Sequence, residues 1–168
     1  SIGVMFRAFE IVRRKIGNVY LVMVGDCEVG QKYRSLFENI KSSVILEGAQ
    51  PFDRVPFYLA AADCLLLPME DNPIENARFP MRLGDYLCAQ RPIVSNAVGE
   101  VKKYLDQYNA GLTSTHADSG ELAENIIKVL DNDVISAKIA LNARKLAENE
   151  LNWNNVGETI VREVVQML

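Results

Sequence analysis

Four short apolar runs recur along this chain: VYLVMVGD (Val19 to Asp26), SVILEG (Ser43 to Gly48), CLLLP (Cys64 to Pro68) and PIVSN (Pro92 to Asn96). None alternates polar with apolar residues, which is the pattern of strands covered on both faces. Between them lie segments of helical character, and strands separated by helical crossovers build a parallel sheet with helices packed on its two sides. The expected fold class is therefore α/β, a Rossmann-like parallel sheet with helices on both faces. A weaker fifth strand is expected at AGLTST, Ala110 to Thr115.

The helical segments can be placed from spacing and punctuation. SIGVMFRAFEIVRRKIG opens almost directly into an amphipathic helix, with Val4, Met5, Ala8, Phe9, Val12 and Ile16 near helical spacing and Gly17 as its stop. Gln31 to Lys41 reads as a second helix. Asp53 is the expected N-cap of a third, with Pro56 in its first turn and Phe57, Leu59, Ala60 and Ala61 as its apolar face. PMRLGDYLCAQ follows with Pro80 at its first position, and a short helix is expected around Val98 to Tyr108. Three more close the sequence: Asp118 to Asp131, Asp133 to Glu148, and Trp153 to Leu168, the last with Val156, Ile160, Val164 and Leu168 four apart. A length of 168 residues suits one domain. Because a domain boundary usually brings a polar lead-in, residues 1–168 are expected to form a single domain that begins inside a larger one.

Composition removes several classes of function. A net charge of -4 argues against a general nucleic-acid binder, which needs a basic face to displace counterions, so any polyanion site must be local. Cys27, Cys64 and Cys88 lack C-x-x-C spacing and accompany a single histidine, so they read as buried free thiols of a reducing compartment and not as metal ligands. No run approaches the ~18 apolar residues of a membrane span, and the N-terminus lacks a secretory pattern.

In an open parallel sheet, ligands bind beyond the carboxyl ends of the strands. Four loops are therefore informative: GDCEVGQ, EGAQPFD, PMEDNPIENARF and SNAVGE. The first has Gly25 and Gly30 but no following Lys-Ser/Thr, and G-x-G-x-x-G is absent, which disfavours a phosphate loop and a dinucleotide dehydrogenase. The third is longer than the usual strand-to-helix connection, and long loops in compact domains tend to be functional. It ends in ENARFPMRLGDYLCAQRPIV, with arginines at 78, 82 and 91. A proline at the start of a helix leaves the N–H groups of Met81, Arg82 and Leu83 free to point at an anion with the positive end of the dipole behind them, flanked by Arg78 and Arg82. The alternative is that these arginines are solvated or pair with Glu70, Asp71 and Glu75. Asp85, one turn into the helix, suits the vicinal hydroxyls of a ribose, although an isolated Asp on a helix is often only a surface residue. His116 falls in a polar turn and reads as a surface residue.

The order proline, helix with an acid before Tyr-Leu, C-A-Q-R-P-I-V-S and A-V-G-E resembles the C-terminal donor-binding domain of family 4 (group 1) glycosyltransferases of the GT-B fold. VYLVMVGD, SVILEGAQPFDRVPFYLAAADCLLLP, AGLTSTHADSGELAENI and LNWNNVGETIV are similar to further segments of that family, so nearly the whole chain is covered. The resemblance implies transfer of a hexosyl group, with retention, from a nucleoside-diphosphate sugar to a glycan, lipid-linked or small-molecule acceptor, with no metal and no cofactor beyond that donor. It implies that Asp85, at the second acid of the family's paired-glutamate signature, holds the ribose. Counting back eight residues reaches Ala77 where the first glutamate belongs, leaving Glu75 or Asn76 as substitutes for the sugar-facing acid. Arg78, Phe79, Pro80 and Met81 replace the family's Gly-Phe-Gly-Leu turn, so Arg78, Phe79, Met81, Arg82 and Leu83 are the expected diphosphate contacts. Gly48, Ala49 and Gln50 are expected at the base, with Gly25 and Asp26 in a loop near the donor.

Two expected parts are absent: the family's first strand of this domain, which should precede the helix starting at Ile2, and the N-terminal acceptor domain. The resemblance thus implies about half of an enzyme, inactive alone, whose partners are the donor and the missing N-terminal domain. It implies a cytoplasmic location, with any membrane contact peripheral at the inner face. A non-catalytic nucleotide-sugar-binding or scaffold module, and a sugar-nucleotide epimerase of the same architecture, are the alternatives.

Overall fold

The computed structural model describes residues 2–27 and 29–167. Its first helix, α1 (Ile2–Ile16), buries Val4, Met5, Phe6, Ala8, Phe9 and Val12, the apolar positions that share one side at helical spacing. Gly17 then takes φ +81°, and its N–H reaches back to the carbonyl of Arg13 at 2.9 Å, so the left-handed residue ends the helix as expected.

The strands are β1 (Leu21–Val24), β2 (Val44–Gly48), β3 (Leu65–Leu67), β4 (Ile93–Ser95) and β5 (Leu112–Thr113). All pair in parallel, but they form two sheets where one was expected: β1 with β2, and β3-β4-β5. Between α1 and the remaining helices, α2 (Arg34–Ile40) links β1 to β2 and α3 (Val55–Ala61) links β2 to β3. After β3 come α4 (Pro73–Ala77) and α5 (Met81–Cys88), then α6 (Gly99–Gln107) between β4 and β5. The chain closes with α7 (Ser119–Leu130), α8 (Asp133–Asn149) and α9 (Trp153–Met167).

In the larger sheet the expectation of two covered faces holds. Ile93 packs with Leu83, Leu87, Val101 and Leu105 on one side of β4, while Val94 packs with Val4, Leu122 and Ile126 on the other. Successive side chains point to opposite faces, so one three-residue strand anchors both cores. The smaller sheet departs from the expectation. Leu21 of β1 packs with Phe6, Phe9 and Ile40 beneath α1, but Val22, Ile45 and Leu46 remain exposed. Their apolar character suggested full burial; Val22 and Ile45 lie on the face turned away from α1, and Leu46, on the same face as Leu21 and Met23, is left uncovered at the strand's end.

Helix α1 joins the two sheets. Val4, Ala8 and Val12 belong to the core under α7, whereas Met5, Phe6 and Phe9 belong to the core with β1. Further corrections are local. Asp53 does not cap α3, whose cap position is Arg54 after a 3-10 turn at Phe52–Arg54, and Phe57 is exposed. Cys88 is exposed and Cys27 and Cys64 half-buried, all three with free thiols. Of the final helix, no residue of which is buried among those described, Leu168 lies outside the described residues.

Candidate functional site

The long third loop contains a helix that the sequence did not announce. Asn72 caps α4, its side-chain oxygen accepting from the N–H of Glu75 at 2.9 Å, and Pro73 stands at the first turn. Asn76 Nδ2 folds back to Asp71 Oδ1 at 2.8 Å and to the Asn72 carbonyl at 3.0 Å. The segment is therefore held by its own hydrogen bonds, with α4 packed against α6. Asn72-Pro73 was the available signal, a capping residue followed by a proline at N1.

At its exit, Arg78 Nη2 lies 2.6 Å from Glu75 Oε1 and donates to Oε2 at 2.8 Å. This realises one alternative open at the sequence level: Arg78 is paired within its own loop. Arg82 is exposed and has no ion pair among the described residues. Arg91 stands apart at the far end of α5, donating through Nη2 to the carbonyl of Ala60. Two arginines therefore stand at the helix start, and one of them is unneutralised.

Pro80 occupies the N-cap of α5, one residue earlier than expected, with φ -65° and ψ 131°. Its carbonyl accepts the N–H of Leu83 at 2.9 Å, so Leu83 cannot offer that group to a ligand. Among the described residues, the N–H groups of Met81 and Arg82 have no hydrogen-bond partner at the positive end of the helix. The physical reason for the difference is that a first-turn 3-10 bond closes on the cap residue's carbonyl. Leu83 is instead a core side chain, fully buried with Leu87, and this fixes the opposite face of α5 outward.

That outward face carries Met81, Arg82 and Asp85, all exposed. Arg82 and Asp85 are three residues apart and so share one side of the helix. Tyr86 lies inward beside them. Its hydroxyl donates to the Leu66 carbonyl at 3.3 Å, and burial raises its pKa above the ordinary tyrosine range, with Arg82 opposing and Asp85 adding to the rise. Gly84, between Arg82 and Asp85 in sequence, has nothing within 4 Å of where a Cβ would stand. The helix start thus presents two N–H groups, a cation and a carboxylate on its exposed side.

The other expected contacts form a separate cluster. Gly25 N donates to the Gly48 carbonyl at 2.8 Å, which brings the ends of β1 and β2 together with Asp26 and Ala49 beside them. Gln50 turns its amide nitrogen back to the Glu47 carbonyl at 2.7 Å. Among the described residues, no hydrogen bond or ion pair joins this cluster to the Arg78–Asp85 segment.

His116 is not the solvated residue expected from its polar turn. Its Nε2 accepts from the backbone N–H of Asp71 at 3.3 Å, and among the described residues its buried Nδ1 has no hydrogen-bond partner. It supports the loop from the β5–α7 connection. Among the described residues there is no group of three or more His, Cys, Asp or Glu placed to hold a metal ion.

The profile of the family described as "Glycosyl transferases group 1" matches residues 1–132. The chain belongs to the group 1 glycosyl transferases. It is 24% identical over 157 residues to the amylovoran biosynthesis glycosyltransferase AmsK of Erwinia amylovora, a match covering 90% of this chain and 38% of that protein. Among solved structures, Anabaena HepE in complex with UDP superposes with a TM-score of 0.76 at 20% identity, covering 98% of this chain and 44% of HepE. Sucrose-phosphate synthase from Thermosynechococcus elongatus gives a TM-score of 0.78 at 17% identity, over 99% of this chain and 43% of that one. The fold is accordingly that of one half of GT-B glycosyltransferases, and this group 1 chain spans less than half the length of the relatives it matches.

Proposed function

We propose that this group 1 chain is the donor-binding part of a hexosyltransferase, gripping a nucleoside-diphosphate sugar at the start of α5. The observation that carries the reading is the set of groups presented there: the free N–H groups of Met81 and Arg82, the unpaired Arg82 guanidinium, and Asp85 one turn along the same face. Helix-start N–H groups suit a diphosphate, and an acid behind them suits ribose hydroxyls. HepE has been solved with UDP and with UDP-glucose, which favours a donor of that class.

In the reaction, charge that builds on the departing diphosphate is offset by Arg82 and the helix dipole, and no side chain of this chain need remove a proton. Retention of configuration rests on family likeness. Pro80 sets the turn without an N–H to donate, Phe79 offers its backbone N–H to the diphosphate, Arg78 contributes only when released from Glu75, and Gly48 to Gln50 receive the base. Leu83 contributes by packing.

The two sheets support a further part of the reading. A strand entering between β1 and β3 and running into α1 would make a right-handed strand–helix–strand unit with β1 and unite both sheets. We assign that strand, and the acceptor domain, to polypeptide outside these residues, so that the 168-residue chain alone does not complete transfer. No helix among the described residues is long and apolar enough to cross a membrane. Cytoplasmic placement, with at most peripheral contact at the inner face, accompanies the donor chemistry.

Hydrogen exchange tests the site. Saturating UDP-glucose should protect residues 81–86 in a protein that turns the donor over; unchanged exchange there, with turnover demonstrated, would sink the assignment. One observation favours a second reading, a nucleotide-sugar-binding module without transfer: Ala77 stands where the family's sugar-facing glutamate belongs, and the nearby Glu75 is engaged by Arg78. UDP binding with neither hydrolysis nor transfer of the sugar would select that reading.

A further inference from the structure

The segment SNAVGE, at the end of β4, has no part in the donor site described above. It nevertheless touches the donor loop at two places, and α6 touches it at a third. In β3, Leu65 donates to the Pro92 carbonyl at 2.9 Å, so alternate residues Leu65, Leu67 and Met69 direct their backbone groups toward β4. The strand ladder ends at the pair Leu67 and Ser95, yet the pairing does not. The Ser95 hydroxyl donates to the Leu67 carbonyl at 2.6 Å. Asn96 then joins Met69 through its side chain: its Oδ1 accepts from Met69 N–H and its Nδ2 donates to the Met69 carbonyl, both at 2.9 Å. Ser95, Asn96 and Met69 are fully buried, so water cannot substitute for these bonds.

The second contact lies at the other end of α4. Gly99 has φ +54°, and a Cβ built on it would come within 2.0 Å of the Asn76 carbonyl oxygen and 2.6 Å of the Asn76 carbonyl carbon. Only glycine allows this approach in this conformation. The third is aromatic: Phe79 meets Tyr104 of α6 edge-to-face, with ring centres 5.7 Å apart, and Tyr104 stacks in turn on Tyr108. The loop is thus mounted at Met69, Asn76 and Phe79 on residues 96, 99 and 104.

We propose that Asn96 and Gly99 are positioning residues for the donor: they set where the loop delivers Pro80 and hence where the Met81 and Arg82 N–H groups point. Neither touches the donor. The inference rests on the donor reading above, because the mount matters to binding only if a ligand sits at the start of α5. A displacement of about 1 Å in such a frame can cost a factor of about a hundred in rate, so small shifts at residues 69 and 76 suffice.

The test uses UDP as probe on the intact protein, with Asn96→Ala, Gly99→Ala and Tyr104→Leu, and Leu105→Val as a core variant beside Tyr104 that leaves the mount intact. Asn96→Ala and Gly99→Ala should each raise the UDP dissociation constant about tenfold or more, and speed hydrogen exchange across residues 69–79 in the free protein. Leu105→Val, brought to equal melting temperature by a small change in denaturant, should leave both unchanged. Wild-type affinity in Asn96→Ala and Gly99→Ala would overturn the positioning role; if one does not fold, the other and Tyr104→Leu decide. Absence of UDP binding by the wild-type protein, with exchange across 69–79 still raised in the variants, would instead count against the donor reading itself.

Discussion

Arg78 and Glu75 hold each other across one turn of the β3–α5 loop, with Nη2 at 2.6 Å and 2.8 Å from the two carboxylate oxygens. The pair divides the labour of two arginines that look equivalent in sequence. Arg82→Ala should weaken UDP binding by roughly tenfold or more, the loss of one charge-assisted contact of about 1.5–3 kcal/mol, whereas Arg78→Ala should change it only a few-fold. Isothermal titration with UDP measures both. An Arg78→Ala effect as large as that of Arg82→Ala would show that the pair opens when donor arrives.

Asp85 should read the ribose. If its carboxylate accepts from ribose hydroxyls, the wild-type protein will prefer UDP over 2′,3′-dideoxy-UDP, and Asp85→Ala will bind the two alike. Comparing the four affinities isolates the coupling between side chain and hydroxyls. Persistence of the full preference in Asp85→Ala would remove Asp85 from the ribose site.

Thiol chemistry should separate the cysteines. Burial pushes the Cys64 thiol up to about 12, with Asp63 adding to the rise, although the residue as a whole keeps partial exposure. Cys88 is exposed. Since the thiolate is the reactive species, an alkylating reagent at pH 8 should label Cys88 well before Cys64, as peptide mapping by mass spectrometry would record. Equal labelling rates in the native protein would contradict this burial.

Alkaline stability should depend on Tyr86. Its pKa is raised in the folded protein, chiefly by burial, above the ordinary value of 10.0. The folded state therefore holds the phenol proton more tightly than the unfolded state does. That contribution is fully present below about pH 10 and is lost as pH rises through the folded-state value. Thermal melts from pH 8 to 11 should show the wild type losing stability at the alkaline end, and Tyr86→Phe losing less of it. Parallel curves for the two proteins would exclude Tyr86 as the titrating group.

The sequence made α1 and the larger sheet legible because local and global signals agree there. Val4, Met5, Ala8, Phe9 and Val12 are helically spaced and buried, and the apolar residues of β4 are covered on both faces. The smaller sheet misled for a physical reason: Val22 and Leu46 look like core residues, but what covers a strand face is a neighbouring element, which no property of the strand itself records. At the start of α5, the proline marked the helix boundary to within one residue. The Arg78–Glu75 pair, three residues apart, was one of the alternatives the sequence left open, whereas the Asn96 bridge to Met69 depends on a contact between strands that spacing does not encode. His116 shows the same limit, since its polar turn concealed a bond to Asp71 formed across the fold.

The parting between β1 and β3 also bears on how residues 1–168 taken by themselves would behave in solution. Backbone groups along an unpaired strand edge recruit other strands, and here the edges lie beside exposed Val22, Ile45 and Leu46. Molecules concentrated together would satisfy those edges with one another, so turbidity should grow with protein concentration and respond little to added salt. A short extended peptide that seats itself in the opening would act as a solubiliser.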